Sequence, residues 1–391
     1  MTTKMTDEQR ELQELARAFA ESELRPGTAA WDESRTLPDD VFEKLAESGF
    51  LGMLVPEAYG GLGFDLATYL LVLEELSWGD AAVALSVAIH SGPVVETILS
   101  HGTEEQKQQW LPALASGEVL GAFALSEPDA GSDASSVSTT ATREGEGWRL
   151  DGEKRWVTNG GRAGLALVFA RTSEDGLGVF LVPTDSEGYQ VGTRENTMGL
   201  RASETVRVHL NGVQLPGDAL VGEVDAGLRY ALEALDLGRI GIAIQAVGVG
   251  RAAIEHAARY SLEREQFGTP IGRFGALQAK LADSAHRVAG GRALAHEAAE
   301  AWEATRNGAP RTGAGGVTAR AAMAKLAAAE AATFAADEAI QIYGGYGYMR
   351  HYPVERLMRD AKGAEIYEGT NEIMRRVIAG EILRDSGDTT S

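Results

Sequence analysis

The sequence predicts a mainly α-helical protein with a central β domain set into its middle and a helical bundle after it. Three observations lead there. Apolar residues recur at helical spacing over residues 1–120 and again after 225, β-branched and aromatic runs fill the stretch between, and strands never alternate with helices as they do in a doubly wound sheet. The expected domains are therefore 1–120 helical, 121–225 β and 226–391 a helical bundle.

Taken in order, Thr6-Asp-Glu-Gln9 has the spacing of a capping box, and Leu12, Leu15, Ala16 and Phe19 follow on one helical face until Pro26. Further helices are expected at 39–48, closed by Gly49, at 66–77, at 81–100 and in "TEEQKQQWLPAL", where Thr103 and Gln106 repeat the capping box. From 121 onward "WRLDGEKRWVT" places Asp151-Gly152 between two strand-like runs, the signature of a hairpin turn. "LALVFAR", "GVFLVP" and "VRVHLNGVQLP" extend the β pattern to about 216. After Asp225, alanine-rich helices are expected at 227–264, 274–305 and 317–342, with shorter ones at 353–361 and 371–384, and "RNGAPRTGAGG" reads as an inter-helix loop.

Composition narrows the function. Lys+Arg 36 against Asp+Glu 57 gives a formal charge of −21, which repels phosphate backbones and anionic lipid and argues against nucleic-acid and membrane partners. No stretch is expected to reach the roughly 20 apolar residues that span a bilayer, and the start "MTTKMTDEQRELQELARAF" has neither a signal-peptide core nor a transit composition, so a cytoplasmic protein is expected. With no cysteine there is no disulfide, thiolate nucleophile or thiolate-bound metal, and redox chemistry has to come from a bound cofactor. Metal-hydrolase, acyl-serine, Walker and Gly-x-Gly-x-x-Gly signatures are missing, the seven histidines are scattered, and no metal site is expected.

Three segments remain open on their residues alone. "AFALSEPDAGSDASS", 122–136, fits a surface loop as well as a binding loop. "QIYGGYGYMRHYP", 341–353, fits either a helix end or a glycine turn whose bare N–H groups approach a phosphate. Glu368, in "AEIYEGTNEIMRR", fits either an acid favoured by a helix N-terminus or a catalytic base.

Together these segments resemble the acyl-CoA dehydrogenase family in register over essentially the whole chain. The resemblance is carried by "AFALSEPDAGSDA", "RWVTNGG", "MGLRASETVRVHLNGVQLP", "LDLGRIGIAIQAVG", "EREQFGTPIGRFGALQAKLAD", "QIYGGYGY" and "RDAKGAEIYEGTNEIMRRVIAG". It implies an acyl-CoA dehydrogenase-like fold of N-terminal α domain, β-barrel-like middle domain and C-terminal four-helix bundle, with FAD held without a Rossmann fold, an acyl-CoA substrate, electron-transfer flavoprotein as acceptor, a role in fatty-acid β-oxidation and a homotetramer. By position, Phe123, Leu125, Ser126, Gly131 and Ser132 are expected to line flavin and thioester. Trp156 and Thr158 would lie on the isoalloxazine ring, and Arg264, Phe267, Gln278, Gln341 and Gly345 would reach the FAD of another subunit. Thr370 and Glu372 would touch flavin after the base, and Ser132, Asp236, Arg239 and Gly369 would meet the acyl-CoA, although Asp236 and Arg239 also have the spacing of a helical ion pair. Asp129 departs from the glycine that many members carry.

The resemblance makes Glu368 the base that removes the α-proton as the β-carbon gives hydride to flavin N5, producing a trans-2-enoyl-CoA. The family's other base position corresponds to Gly238, which disfavours the isovaleryl and long-chain branches and points to a short- or medium-chain, butyryl-CoA-like member. Ala81, Ala82 and Val83 stand where glutaryl-specific members carry an arginine. An acyl-CoA oxidase and a catalytically silent acyl-CoA-binding scaffold are the alternatives.

Overall fold

The computed structural model describes residues 5–387. Helix α1 spans Asp7–Phe19, and its capping box forms as read: the Thr6 hydroxyl accepts from the Gln9 N–H while the Gln9 side chain accepts from the Thr6 N–H. A wide π turn, Ala20–Leu24, follows, then a short helix α2, Thr28–Ser34, which the sequence pattern did not announce. α3 is Asp39–Glu47 and α4 is Leu66–Gly79, capped by Asp65 on the Thr68 N–H.

The single helix expected over 81–100 is interrupted. α5, Ala81–Ile89, passes through a π turn at His90–Val94 into α6, Val95–His101. Pro93 has no N–H to continue the ladder, which accounts for the widened turn. α7, Glu104–Ala115, closes the helical part with its own capping box from Thr103 and Gln106.

The β part comprises β1 Gly121–Ala124, β2 Thr140–Glu144, β3 Gly147–Thr158, β4 Leu165–Arg171, β5 Leu177–Pro183, β6 Tyr189–Arg194 and β7 Thr205–Leu215. They form one curled sheet in the order β1-β4-β2-β3-β7-β6, and β5 also pairs with β4, antiparallel and along its whole length. The expected hairpin at Asp151-Gly152 is not there. β3 runs straight through both residues, which pair with Asn211 and Leu210 of β7, and the turn between β2 and β3 falls at Gly145-Glu146; the bulge beside Asp151 lies on β7, where Gly212 at φ 69 is the extra residue between Val213 and Asn211. A Cβ on Gly152 would collide with Thr139. A second irregularity between Lys154 and Val157 turns Trp156 outward at φ 57.

α8, Gly227–Glu263, has 37 residues and is about 55 Å long. A small hairpin of β8, Glu265–Gln266, and β9, Thr269–Pro270, leads to α9, Gly275–Thr305, and α10, Val317–Tyr343. A tight 3₁₀ stretch, Gly344–Tyr348, precedes α11, Pro353–Ala364, and α12, Asn371–Asp385. α8, α9 and α10 pack on one another, with α11 and α12 against α10 and α4 against α8. Small residues allow these close approaches: a Cβ on Gly248 of α8 would lie 2.5 Å from the Ser77 Cβ of α4. Two helical segments, Ala81–His101 and Gly227–Glu263, are in fact long and apolar enough to cross a bilayer, contrary to the expectation from sequence. In each, 89% of the apolar window is buried inside the protein, so their apolarity belongs to the core.

Candidate active site

Between α11 and α12 the chain makes the turn Tyr367-Glu368-Gly369-Thr370. Glu368 sits at φ 54 and Gly369 at φ 95, two consecutive left-handed residues of which only the second is conformationally free. The strain at Glu368 is held by contacts on both sides. The Tyr367 hydroxyl donates to the Gln245 side-chain oxygen at 2.6 Å, Arg239 Nε donates to the Glu368 carbonyl at 3.4 Å, and Lys325 Nζ donates to the Gly369 carbonyl at 2.7 Å. The Thr370 hydroxyl caps α12 on the Ile373 N–H, and Glu372 is exposed on its first turn.

The Glu368 side chain points into the bundle. The residue as a whole is half-buried, yet Oε2 is enclosed and has no hydrogen-bond partner among the described residues. Burial pushes the carboxyl up to about 7, against the opposing pull of Arg239 and Lys325. Its neighbour across the gap is Gly238 of α8, whose Cβ, were there one, would stand 2.5 Å from Oε2. Arg239 is itself buried and paired with Asp236 at 3.0 Å, while Asp236 also accepts from the Thr318 hydroxyl at 2.8 Å. The helical ion pair open to Asp236 is formed, and the residue is buried.

A second group of residues comes from the curled sheet. Phe123 lies on β1 against Phe169, and the loop after β1 is tied to β3 by the Arg155 N–H donating to the Ser126 carbonyl at 2.8 Å. Beneath it, the buried Lys154 ammonium donates to the Leu125 carbonyl at 3.1 Å and to Glu127 at 2.7 Å, and Glu127 accepts from Ser138 and Thr139. Burial pushes the Glu127 carboxyl up, but the Lys154 charge and these donors more than offset it and hold it at about 2. Above this anchor Trp156 is 48% exposed, Gly131 and Ser132 are bare to solvent, and Thr158 is half-buried. Leu200 joins the sheet to the bundle, its N–H donating to Asp360 of α11 at 2.5 Å.

The third group lies on one exposed edge of the bundle. Arg264 stacks on Tyr346, Tyr346 adjoins Tyr260 and Tyr352, and Phe267, 96% exposed at φ 53, projects from the β8–β9 hairpin beside Phe274. Gln341, Gly345 and Gln278 are exposed along the same edge.

Family models for the N-terminal, middle and C-terminal domains of acyl-CoA dehydrogenases match residues 6–118, 122–213 and 225–383. The chain belongs to the acyl-CoA dehydrogenase family. It is 42% identical to the rat mitochondrial short-chain specific acyl-CoA dehydrogenase over 377 residues, 95% of this chain and 89% of that one. Butyryl-CoA dehydrogenase from Megasphaera elsdenii superposes with a TM-score of 0.93 at 38% identity, covering 98% of this chain and all, 100%, of the other. A glutaryl-CoA dehydrogenase from Mycobacterium smegmatis in complex with FADH2 superposes at 0.89 with 33% identity, over 96% and 94% of the two chains. Like the family, this acyl-CoA dehydrogenase is an FAD-dependent oxidoreductase.

Several residues of this acyl-CoA dehydrogenase escape a sequence reading. Lys154 and Glu127 stand in unremarkable polar runs, and Lys325 is one lysine in an alanine-rich helix. For Lys325 a signal exists: it falls on the same helical stripe as Ala321, Ala328 and Ala332, all buried, so a charge is placed on a core face.

Proposed function

We propose that this acyl-CoA dehydrogenase converts a short-chain acyl-CoA, of butyryl type, to the trans-2-enoyl-CoA, with Glu368 as the base that removes the α-proton. The observation that carries the reading is the enclosed, unpartnered Glu368 Oε2 with a proton affinity raised to about 7. A thioester α-hydrogen is a weak acid, and a carboxylate at its usual affinity is a weak base in water. Drawing that carboxylate out of water brings its affinity toward the working pH.

The developing enolate needs hydrogen-bond donors at the thioester oxygen, and the Glu368 N–H donates to no protein acceptor among the described residues. It is the donor this chain offers, beside a hydroxyl of the bound cofactor. Arg239 keeps its charge on the backbone side of the same residue, leaving the carboxylate free to move toward substrate.

FAD, when bound, supplies the hydride acceptor at N5. The residues present fit it. An exposed indole at Trp156, hydroxyls at Ser126, Ser132 and Thr158 that donate to no protein group among the described residues, and the uncovered backbone at Gly131 supply an aromatic face with donors. Phe123 and Leu125 would back the same ring, with Thr370 and Glu372 on its bundle side. Arg264, Phe267, Gln278, Gln341 and Gly345 present a cation, donors and bare backbone on an edge that a second copy of the chain would cover, which supports the homotetramer expected from the family. Ser132, Asp236, Arg239 and Gly369 are the substrate-side residues of this reading, with Asp236 and Arg239 paired to one another.

Gly238 leaves the alternative base position empty, and the relatives' names favour short chains. Electron-transfer flavoprotein is the proposed acceptor. Anaerobic addition of butyryl-CoA should bleach the flavin, and turnover in air should yield little peroxide unless electron-transfer flavoprotein is replaced by oxygen as acceptor. Peroxide formed in step with enoyl-CoA would favour the oxidase alternative.

A further inference from the structure

Lys325 is fully buried in α10, surrounded by alanines, and its ammonium is placed on the turn that carries Glu368. Nζ donates to the Gly369 carbonyl at 2.7 Å and to the Asn371 side-chain oxygen at 3.2 Å, so one cation bridges the second left-handed residue of the turn and the first residue of α12. Leaving an ammonium at such a position without strong partners is unfavourable, and a methionine or leucine would satisfy the packing alone. We propose that Lys325 is a positioning residue for proton abstraction: it clamps the left-handed Glu368-Gly369 turn through the Gly369 carbonyl and holds a fixed positive charge beside the base. This inference rests on Glu368 being that base.

The electrostatics agree with the geometry. Burial lowers Lys325 to about 8, while the nearby Glu368 raises it, as do Glu365 at the end of α11 and Glu372 on α12; Arg239 of α8 lowers it. In return Lys325 and Arg239 moderate the rise that burial imposes on Glu368. Arg239 is already engaged by Asp236 and the Glu368 carbonyl. Lys325 donates to no carboxylate within the described residues, so its charge stays available to the base.

The test uses holoenzyme variants Lys325→Met and Lys325→Gln, the second keeping a donor for the Gly369 carbonyl without charge. Two quantities are read: the pH profile of anaerobic flavin reduction by butyryl-CoA, and hydrogen–deuterium exchange of the amides at 366–371. Loss of the charge is expected to raise the apparent affinity of the base by about one pH unit or more in both variants. Lys325→Met should in addition exchange its turn amides faster and reach a lower rate at high pH, with Lys325→Gln intermediate. Profiles and exchange that superimpose on the wild type overturn the proposal, and so does failure of both variants to fold with FAD, which would make Lys325 a packing residue. A parallel Glu368→Gln arm separates the two readings. Undiminished reduction there removes the base assignment, whereas an inactive Glu368→Gln beside an unaltered Lys325→Met removes only the role of Lys325.

Discussion

The carboxylate of Glu368 fills the space that a side chain at position 238 would need, with Oε2 2.5 Å from where a Cβ on Gly238 would stand. The two residues come from different ends of the C-terminal part, α8 and the turn before α12, and the packing admits an acid from one only if the other lacks a side chain. Gly238 is thus half of the pocket that holds the Glu368 carboxyl rather than a vacant helical position.

Gly238→Ala should therefore displace the carboxylate while leaving the helix intact, since alanine favours helix. A displacement on the order of 1 Å is expected to slow flavin reduction by roughly 100-fold. Stopped-flow reduction with the FAD content held equal to wild type checks this, and an unchanged rate would mean that Glu368 has room to spare.

The rate of flavin reduction should depend on pH through the base. With Glu368 raised to about 7 by burial, the reacting form is the carboxylate, so the rate should climb through neutrality and level off above it. A profile flat from pH 5 to 9 would show that no group of this affinity is required.

Asp360 gives a stability signature of its own. Burial pushes its carboxyl up to about 7 even though it accepts the Leu200 N–H. The folded protein then retains a proton that the unfolded chain releases between its ordinary affinity near 4 and pH 7, so stability falls as pH rises through that window and is level above it. The slope is at most about 1.4 kcal/mol per pH unit. Asp360→Asn keeps the acceptor and should flatten this part of the melting-temperature profile; Glu368→Gln should act in the same direction.

Lys154→Met would leave Glu127 buried without its cation, a change that costs about 3–5 kcal/mol in comparable pairs. Because Lys154 also holds the Leu125 carbonyl, the loop after β1 should loosen and FAD content should drop. Adding Glu127→Gln to Lys154→Met should recover part of the stability but not the flavin affinity. Calorimetry and the ratio of flavin to protein absorbance separate the two effects.

The long elements are legible in the sequence because each carries its own periodicity and boundary chemistry, as at Thr6-Gln9 and Thr103-Gln106. The misplaced hairpin shows the limit of such local chemistry: Asp151-Gly152 has the same residues whether a strand turns there or runs on, and only the pairing of β3 with β2 and β7 decides. The helix break at Pro93 was foreshadowed by the proline yet masked by the apolar run around it. In the site, Glu368 is singled out by resemblance, and its physical character becomes visible only when α8 and α10 enclose it. At Asp236 the i, i+3 spacing announces the ion pair with Arg239, while the hydrogen bond from Thr318 of α10 becomes visible only once the helices are packed. Lys325 lies 44 residues before Gly369, whose carbonyl it clamps, a relation fixed by how α10 packs on that turn.

Anaerobic stopped-flow of Glu368→Gln with butyryl-CoA tests the central claim most directly. The variant should purify yellow and bind the acyl-CoA, with flavin reduction slowed by roughly two to four powers of ten for loss of a general base. Reduction at close to the wild-type rate would contradict the assignment of Glu368 as the group that takes the α-proton.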